Sequence, residues 1–245
     1  MRQKVLTTIF KYSQVLMLLV IIIGFSLTTE NFCTLDNFTT VVMQQLPFLL
    51  IISMGMTMAI ITKGIDLSIG SILALSSCVG AYFLQKGQDL TGVLAALLIG
   101  LALGMMNGLL ITKVHLIPFI ATYSMNLVVR GLAYLFMGGL LYYGFSDRFR
   151  SLATGSFAGI SNLLIISMVL FFALLFVLKR TVFGRNVYAM GFNRNATTLS
   201  GINTDRVLIS IYTVNGLLAA VTGLLYISRL NAAESTIGND FTLKM

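Results

Sequence analysis

Seven apolar runs, at residues 12–28, 41–61, 67–84, 94–111, 117–137, 158–178 and 207–227, punctuate this chain at short intervals. Crossing about 30 Å of hydrocarbon takes roughly 20 helical residues, and a segment in lipid must satisfy its backbone polar groups internally. The shorter runs complete a span with uncharged flanking residues. The alternation of a membrane barrel strand is missing, and barrel segments would be about half as long. The expected fold is therefore all-α: a polytopic membrane helix bundle of about seven transmembrane helices, forming one membrane domain over residues 1–245. Composition agrees, because 57% hydrophobic residues and a mean hydropathy of +0.93 leave too little polar surface to cover a water-soluble globule.

Lysine and arginine near span ends tend to stay cytoplasmic. With the N-terminus inside, the inner segments hold ten bases (Arg2, Lys4, Lys11, Lys63, Lys113, Lys179, Arg180, Arg185, Arg194 and Arg206) against two acids, Asp66 and Asp205. The outer segments hold five bases against six acids, and Arg130 lies within a span. The expected topology is N-terminus cytoplasmic. The basic balance is thus a topogenic signal, and no aromatic-studded basic face supports nucleic-acid binding. The start "MRQKVLTTIFK" resembles a signal peptide, but its apolar stretch is too long and lacks a small-residue cleavage site, so an uncleaved first helix is expected. Cys33, in an outer loop, and Cys78, in the third span, have no evident way to pair.

Between spans two and three, residues 63–68 put Lys63 and Asp66 close together. Gly64 suits the left-handed residue that ends one helix, and Asp66 suits an N-cap facing the positive end of the next helix. The pair reads as a device of a cytoplasmic turn, with gating or partner contact as the alternative.

The stretch "GIDLSIGSILAL" also resembles the signature of permease subunits of monosaccharide-type ABC importers, the ribose, galactose, xylose and autoinducer-2 group. Its matching positions include Gly64, Asp66, Ser68 and Gly70, while Lys63 replaces a glycine usual there. Further pieces follow in order: "PFIATYSMNLVVRGLA", "GRNVYAMGFNRNATTLSGI" and "GLLAAVTGLLYISRL". Family members usually continue past the equivalent of Phe241-Thr242-Leu243, so the chain looks C-terminally truncated, and transport by this chain alone would then be doubtful.

The resemblance implies a permease subunit translocating a sugar or sugar-like solute delivered by a soluble sugar-binding protein, in the bacterial plasma (inner) membrane. ATP would be hydrolysed on a separate ABC ATPase subunit, and a second permease subunit, identical or not, is implied. The chain has no G-x-x-x-x-G-K-[ST] phosphate loop of its own. It carries no cofactor-binding motif, no catalytic constellation and no metal spacing, and is read as a non-enzyme.

The handle for an ATPase is the 28-residue inner segment 179–206. Ala196, Leu199 and Ile202 recur at the spacing of one helix face, Asn193 or Asn195 suits the start of a short helix, and Gly201 suits its end. The resemblance implies a coupling helix here, with Arg194, Asn195, Ala196, Leu199, Ser200, Gly201 and Ile202 at the contact. The alternative is a surface loop whose bases anchor topology and meet membrane lipid.

Polar residues inside spans usually face the bundle interior or a watery path. Gln44, Gln45, Asn107, Asn126, Arg130 and Asn215 are the pathway candidates, and interhelical hydrogen bonds explain the amides equally well. Arg130 must be served by water or carbonyls, or reach outward past Tyr134. In the outer segment 138–159, Asp147, Arg148 and Arg150 suit docking of a binding protein. Gly100, Gly104 and Gly108 form a flat ridge for close helix approach. Pro47 suggests a kink, and Pro118 a helix start. An ion-coupled secondary transporter would need acids in mid-membrane, and a scaffold or non-transporting fragment would not need the amphipathic inner segment.

Overall fold

The computed structural model describes residues 13–239. The basic start with Arg2, Lys4, Lys11 and Tyr12, and the tail 240–245, lie outside the described residues. The chain divides into two compact units, residues 1–42 and 43–245. In the first, α1 (Ser13–Thr28) is followed by α2 (Leu35–Thr40). Thr34 caps α2 by accepting from the Asn37 amide at 3.3 Å, Phe25 stacks on Phe32, and Ser26 Oγ lies 2.9 Å from Cys33 Sγ.

The second unit holds α3 (Leu46–Ile61), α4 (Ile69–Leu84), α5 (Asp89–Thr112), α6 (Pro118–Met137), α7 (Asp147–Thr154), α8 (Asn162–Arg180), α9 (Val182–Phe192), α10 (Arg194–Leu199) and α11 (Thr204–Leu230). Among the described residues the strands are four two-residue pieces, β1 (Tyr142–Tyr143), β2 (Ser156–Phe157), β3 (Ile160–Ser161) and β4 (Ala232–Ala233). β1 pairs antiparallel with β4, tying the connection after α6 to the segment after α11.

Five helices among the described residues are long and apolar enough to cross a membrane: Leu35–Ile61, α5, α6, α8 and α11. Two more are shorter apolar helices, Met17–Thr28 and α4. Helix α4 starts late because residues 62–68 leave the helical path. Thirteen of its sixteen residues are nonetheless buried, so it is a core element rather than a lipid-facing one. The hydroxyls of Ser71, Ser76 and Ser77 each donate to a carbonyl three or four residues back, which lets three polar side chains lie in this interior.

Helix α11 is the most buried of the long helices and α8 the least. The glycine ridge of α5 explains the first of these. A Cβ on Gly100 would meet the Gly216 carbonyl, one on Gly104 the Tyr212 carbonyl, and one on Gly108 the Ile209 Cα, so only glycine lets α5 lie backbone-to-backbone on α11. By contrast α8 turns Met168, Val169, Phe172 and Phe176 outward, as a lipid-facing helix does.

Pro47 follows directly on a π-helical turn over Val41–Gln45, inside the apolar helix Leu35–Ile61, the kind of irregularity at which helices kink. Pro118 does open α6, as expected. One expectation needs correction. At the turn after α3, Lys63 takes the left-handed conformation (φ 62°) rather than Gly64. Gly64 is there for space, since a Cβ would lie 2.5 Å from the Tyr212 hydroxyl.

Candidate functional site

Three groups of polar side chains stand out in the second unit, one inside the bundle and one toward each end. The interior group is built on residues 62–68. The carbonyl of Ala59 accepts from the Gly64 amide at 2.8 Å and closes α3, after which the chain turns inward. Lys63 stays exposed, whereas Asp66 is only 1% exposed. Asp66 is therefore not the surface turn residue that the sequence suggests, although it does accept a backbone N–H just ahead of α4, as expected of a cap. Its Oδ1 accepts from the Ser68 amide (3.1 Å) and the Ser68 hydroxyl (2.6 Å), fixing the residue at which α4 begins. Its Oδ2 accepts from Asn215 Nδ2 of α11 at 3.2 Å. Asn107 Nδ2 of α5 donates to Ser68 Oγ at 2.7 Å. Thr122 of α6 adds a fourth helix, accepting from the Leu67 amide at 3.2 Å.

Asp66, Ser68, Asn107 and Asn215 thus form one buried knot joining the start of α4 to α5 and α11. Gly70 lies one helical residue beyond it and touches Gly238 through its carbonyl. Of the six pathway candidates, Asn107 and Asn215 belong to this knot. Their Oδ1 atoms and the Tyr212 hydroxyl are buried without a partner.

Arg130 of α6 finds carbonyls, one of the solutions open to a cation in such a place. Its Nη1 donates to the carbonyls of Ser235 (2.9 Å) and Ile237 (2.7 Å). These belong to residues 232–239, which run back along α4 after α11 ends at the left-handed Asn231. Cys78 Sγ of α4 lies 3.5 Å from the Glu234 carbonyl, and Gly238 (φ 83°) passes so close to the Gly70 carbonyl that no side chain fits.

Beside this returning segment is a cavity of about 780 Å³, lined among others by Gln45, Arg229, Glu234, Thr236 and Asn239, with Phe48 and Tyr226 on its apolar side. Gln44 holds Arg229, accepting from it through both its carbonyl and its Oε1 at 2.7 Å. Arg229, Glu234, Thr236 and Asn239 were not singled out from sequence. They follow the last apolar run, and nothing in their spacing signals a return into the bundle. Asn126 stands apart, half-buried on α6 with its Oδ1 unpartnered.

At the same end, α7 is capped by Ser146, whose hydroxyl accepts from the Phe149 amide at 3.1 Å. Phe149 and Ala153 are buried, and the carbonyls of Phe149 and Arg150 accept from Ser228 of α11. This seating leaves Asp147 and Arg148 exposed, with Arg150 half-buried.

The third group lies at the opposite end. Asn193 caps α10 by accepting from the Ala196 amide at 3.0 Å, and Gly201 (φ 82°) ends it, so Asn195 is not the cap. Asp205, at the start of α11, accepts from Arg194 Nη2 (3.2 Å) and from Lys113 Nζ (3.1 Å), tying α10 to the ends of α5 and α11. Exposed pairs of this kind are worth about 0–1 kcal/mol each, enough to bias a position rather than to hold it rigidly. Ile202 packs inward against Leu208 and its neighbours. Ala196 and Leu199 do not join it: both are exposed, Leu199 at 89%. The apolar triad is therefore split, because the chain reverses at Gly201 before Ile202. Phe192, missed from sequence, is 91% exposed at the end of α9, just before the turn into α10.

Residues 38–245 match the family described as branched-chain amino acid transport system / permease component. The ribose import permease protein RbsC of Escherichia coli (strain K12) is 37% identical over 231 residues, covering 92% of this chain and 72% of that protein. The D-allose transport system permease protein AlsC of the same strain is 36% identical over 234 residues, covering 94% and 72%. The autoinducer 2 import system permease protein LsrC of Yersinia pestis (strain Pestoides F) is 31% identical over 216 residues, covering 88% and 61%. No solved structure matches. The glycine-aspartate turn, the capped α9–α10 connector and the apolar helices around them thus sit on a chain that belongs to this family of transport-system permease components.

Proposed function

We propose that this chain is the membrane-spanning permease subunit of an ATP-binding-cassette importer that carries a sugar or sugar-like solute. The solute arrives from a soluble binding protein, and the work is done by a separate ATPase. The observation that carries this reading is the exposed apolar pair Phe192 and Leu199 on a short, capped connector. Large apolar side chains this exposed beside charged Arg194 and polar Asn195 suit a partner's groove better than water. The names of the relatives, import permeases for ribose, allose and autoinducer 2, supply the solute class.

In this reading the N-terminus and the α9–α10 end are cytoplasmic, seven helices span the inner membrane, and a second permease subunit completes the pathway. Arg194, Asn195, Ala196, Leu199, Ser200 and Gly201 meet the ATPase, while Ile202 anchors the connector to the bundle. The cavity beside residues 232–239 is the outer mouth. Its amides, hydroxyl and charged groups offer hydrogen bonds to a polyol, and its volume falls within the roughly 300–1,000 Å³ of small-molecule sites. Asp147, Arg148 and Arg150 on α7 receive the binding protein.

The test is co-reconstitution with the cognate ATPase and binding protein. Leu199→Asp, alone and with Phe192→Asp, is expected to leave folding intact and remove stimulation of ATP hydrolysis by solute-loaded binding protein. Full stimulation in the double variant would refute the assignment.

A further inference from the structure

A smaller cavity, of about 300 Å³, lies at the α9–α10 end between the connections that follow α3 and α5. Its lining includes Lys63, His115, Arg194, Thr62, Gly64 and Tyr212, and no acidic residue contributes to it. Three basic side chains reach it from three separate connections. Two of them, Lys63 (φ 62°) and His115 (φ 60°), are held in left-handed backbone, a conformation that non-glycine residues adopt at a cost and that clusters at functional sites. Arg194 is paired with Asp205. The side chains of Lys63 and His115 have no ion pair or hydrogen-bond partner among the described residues.

The floor of the cavity adds an independent sign of a ligand. Tyr212 is fully buried, yet its hydroxyl has no partner, and Gly64 is kept free of a side chain directly over that oxygen. A buried hydroxyl left unsatisfied costs about as much as a lost hydrogen bond. An anionic oxygen in the cavity would accept from it while facing Lys63 and His115. Ile117 of the lining is itself exposed and leads onto exposed Ile120 of α6, while Ile65 and Val114, also exposed, are chain neighbours of Gly64 and His115. A ligand suited to both surfaces has an oxyanion at one end and hydrocarbon at the other.

The geometry points to a phosphate-binding pocket formed by Lys63, His115 and the Tyr212 hydroxyl, occupied by the headgroup of an anionic phospholipid whose acyl chains lie along the start of α6. Basic pockets between membrane helices hold such headgroups by the same chemistry. The site borders the proposed ATPase contact through Arg194, but neither Lys63 nor His115 belongs to that contact, and the lipid test needs no ATPase.

The full chain in nanodiscs of phosphatidylcholine mixed with phosphatidylglycerol gives the test, with the lipid retained after detergent extraction counted by native mass spectrometry. Lys63→Asn with His115→Asn removes both bases while keeping a residue that tolerates left-handed backbone. Tyr212→Phe deletes one oxygen and leaves the packing. Wild type should retain phosphatidylglycerol over phosphatidylcholine, and the double variant should lose at least about fivefold of that preference, the share of the Lys63 charge alone. Tyr212→Phe should lose a smaller part. A second arm heats wild type in pure phosphatidylcholine discs with inorganic phosphate. Stabilisation that the double variant lacks would support the pocket and assign its oxyanion to solution rather than lipid. Equal retention of both lipids by wild type, with no effect of phosphate, would overturn the proposal. So would a double variant with the wild-type preference.

Discussion

Replacing Asp66 by alanine removes the acceptor for three donors inside the bundle: the Ser68 amide, the Ser68 hydroxyl and Asn215 Nδ2. Each buried hydrogen bond contributes about 1 kcal/mol net, and each stranded donor costs at least that, so the expected loss is about 3 kcal/mol. For a chain of this size roughly 2–4 °C accompanies each kcal/mol, which places the midpoint of thermal unfolding in detergent about 6–12 °C lower. Asp66→Asn separates hydrogen bonding from charge. Its oxygen can still serve Ser68, and the new amide can donate to Asn215 Oδ1, which has no partner, once that side chain turns over. The expected loss is then about 1 kcal/mol or less. Differential scanning fluorimetry of both variants, in a background with the exposed Cys33 replaced by serine, with a thiol dye that reacts with Cys78, buried in α4, reads the transition directly. A fall of under about 2 °C for alanine, or equal falls for alanine and asparagine, would refute the reasoning. The second result would mean that charge rather than hydrogen bonding holds the turn.

Other consequences follow from the packing. Gly104→Val should force α5 away from α11, because even a Cβ there meets the Tyr212 carbonyl; such overpacking costs typically 1–3 kcal/mol or more and should appear as reduced yield of folded, monodisperse protein. Ser26→Ala, in the first unit, should leave that yield unchanged. Arg130→Ala should free residues 232–239, whose Ser235 and Ile237 carbonyls it holds, and raise their amide hydrogen exchange while α5 and α8 stay protected. Arg130→Lys, which keeps one donor group, should give an intermediate effect.

The helical, membrane-embedded character of the chain is legible because hydrophobic burial in lipid is written as run length, which needs no knowledge of tertiary contacts. The glycine ridge is legible for a related reason: spacing of four on one helix predicts a flat face, and α11 occupies it. What depends on the path of irregular backbone is not legible. The turn at 62–68 has the composition of a surface turn, and only the Asn107 and Asn215 amides, 39 and 149 residues from their partners, show that Asp66 points inward. Ala196, Leu199 and Ile202 share a helical period, but Gly201 breaks the helix between the second and third, so one packs inward and two face out. The return of residues 232–239 leaves no periodic trace at all. Its anchor, Arg130, is conspicuous in sequence, but its carbonyl partners are backbone atoms that no residue type announces.

The central claim is that the connector carrying Phe192 and Leu199 faces the cytoplasm, where an ATPase can grip it. Single cysteines placed at position 199 and, as an opposite control, at position 148, in a chain with Cys33 and Cys78 replaced, can be probed with a membrane-impermeant maleimide. The account predicts labelling at 199 only in inverted vesicles and at 148 only in intact spheroplasts; the reverse pattern would contradict it.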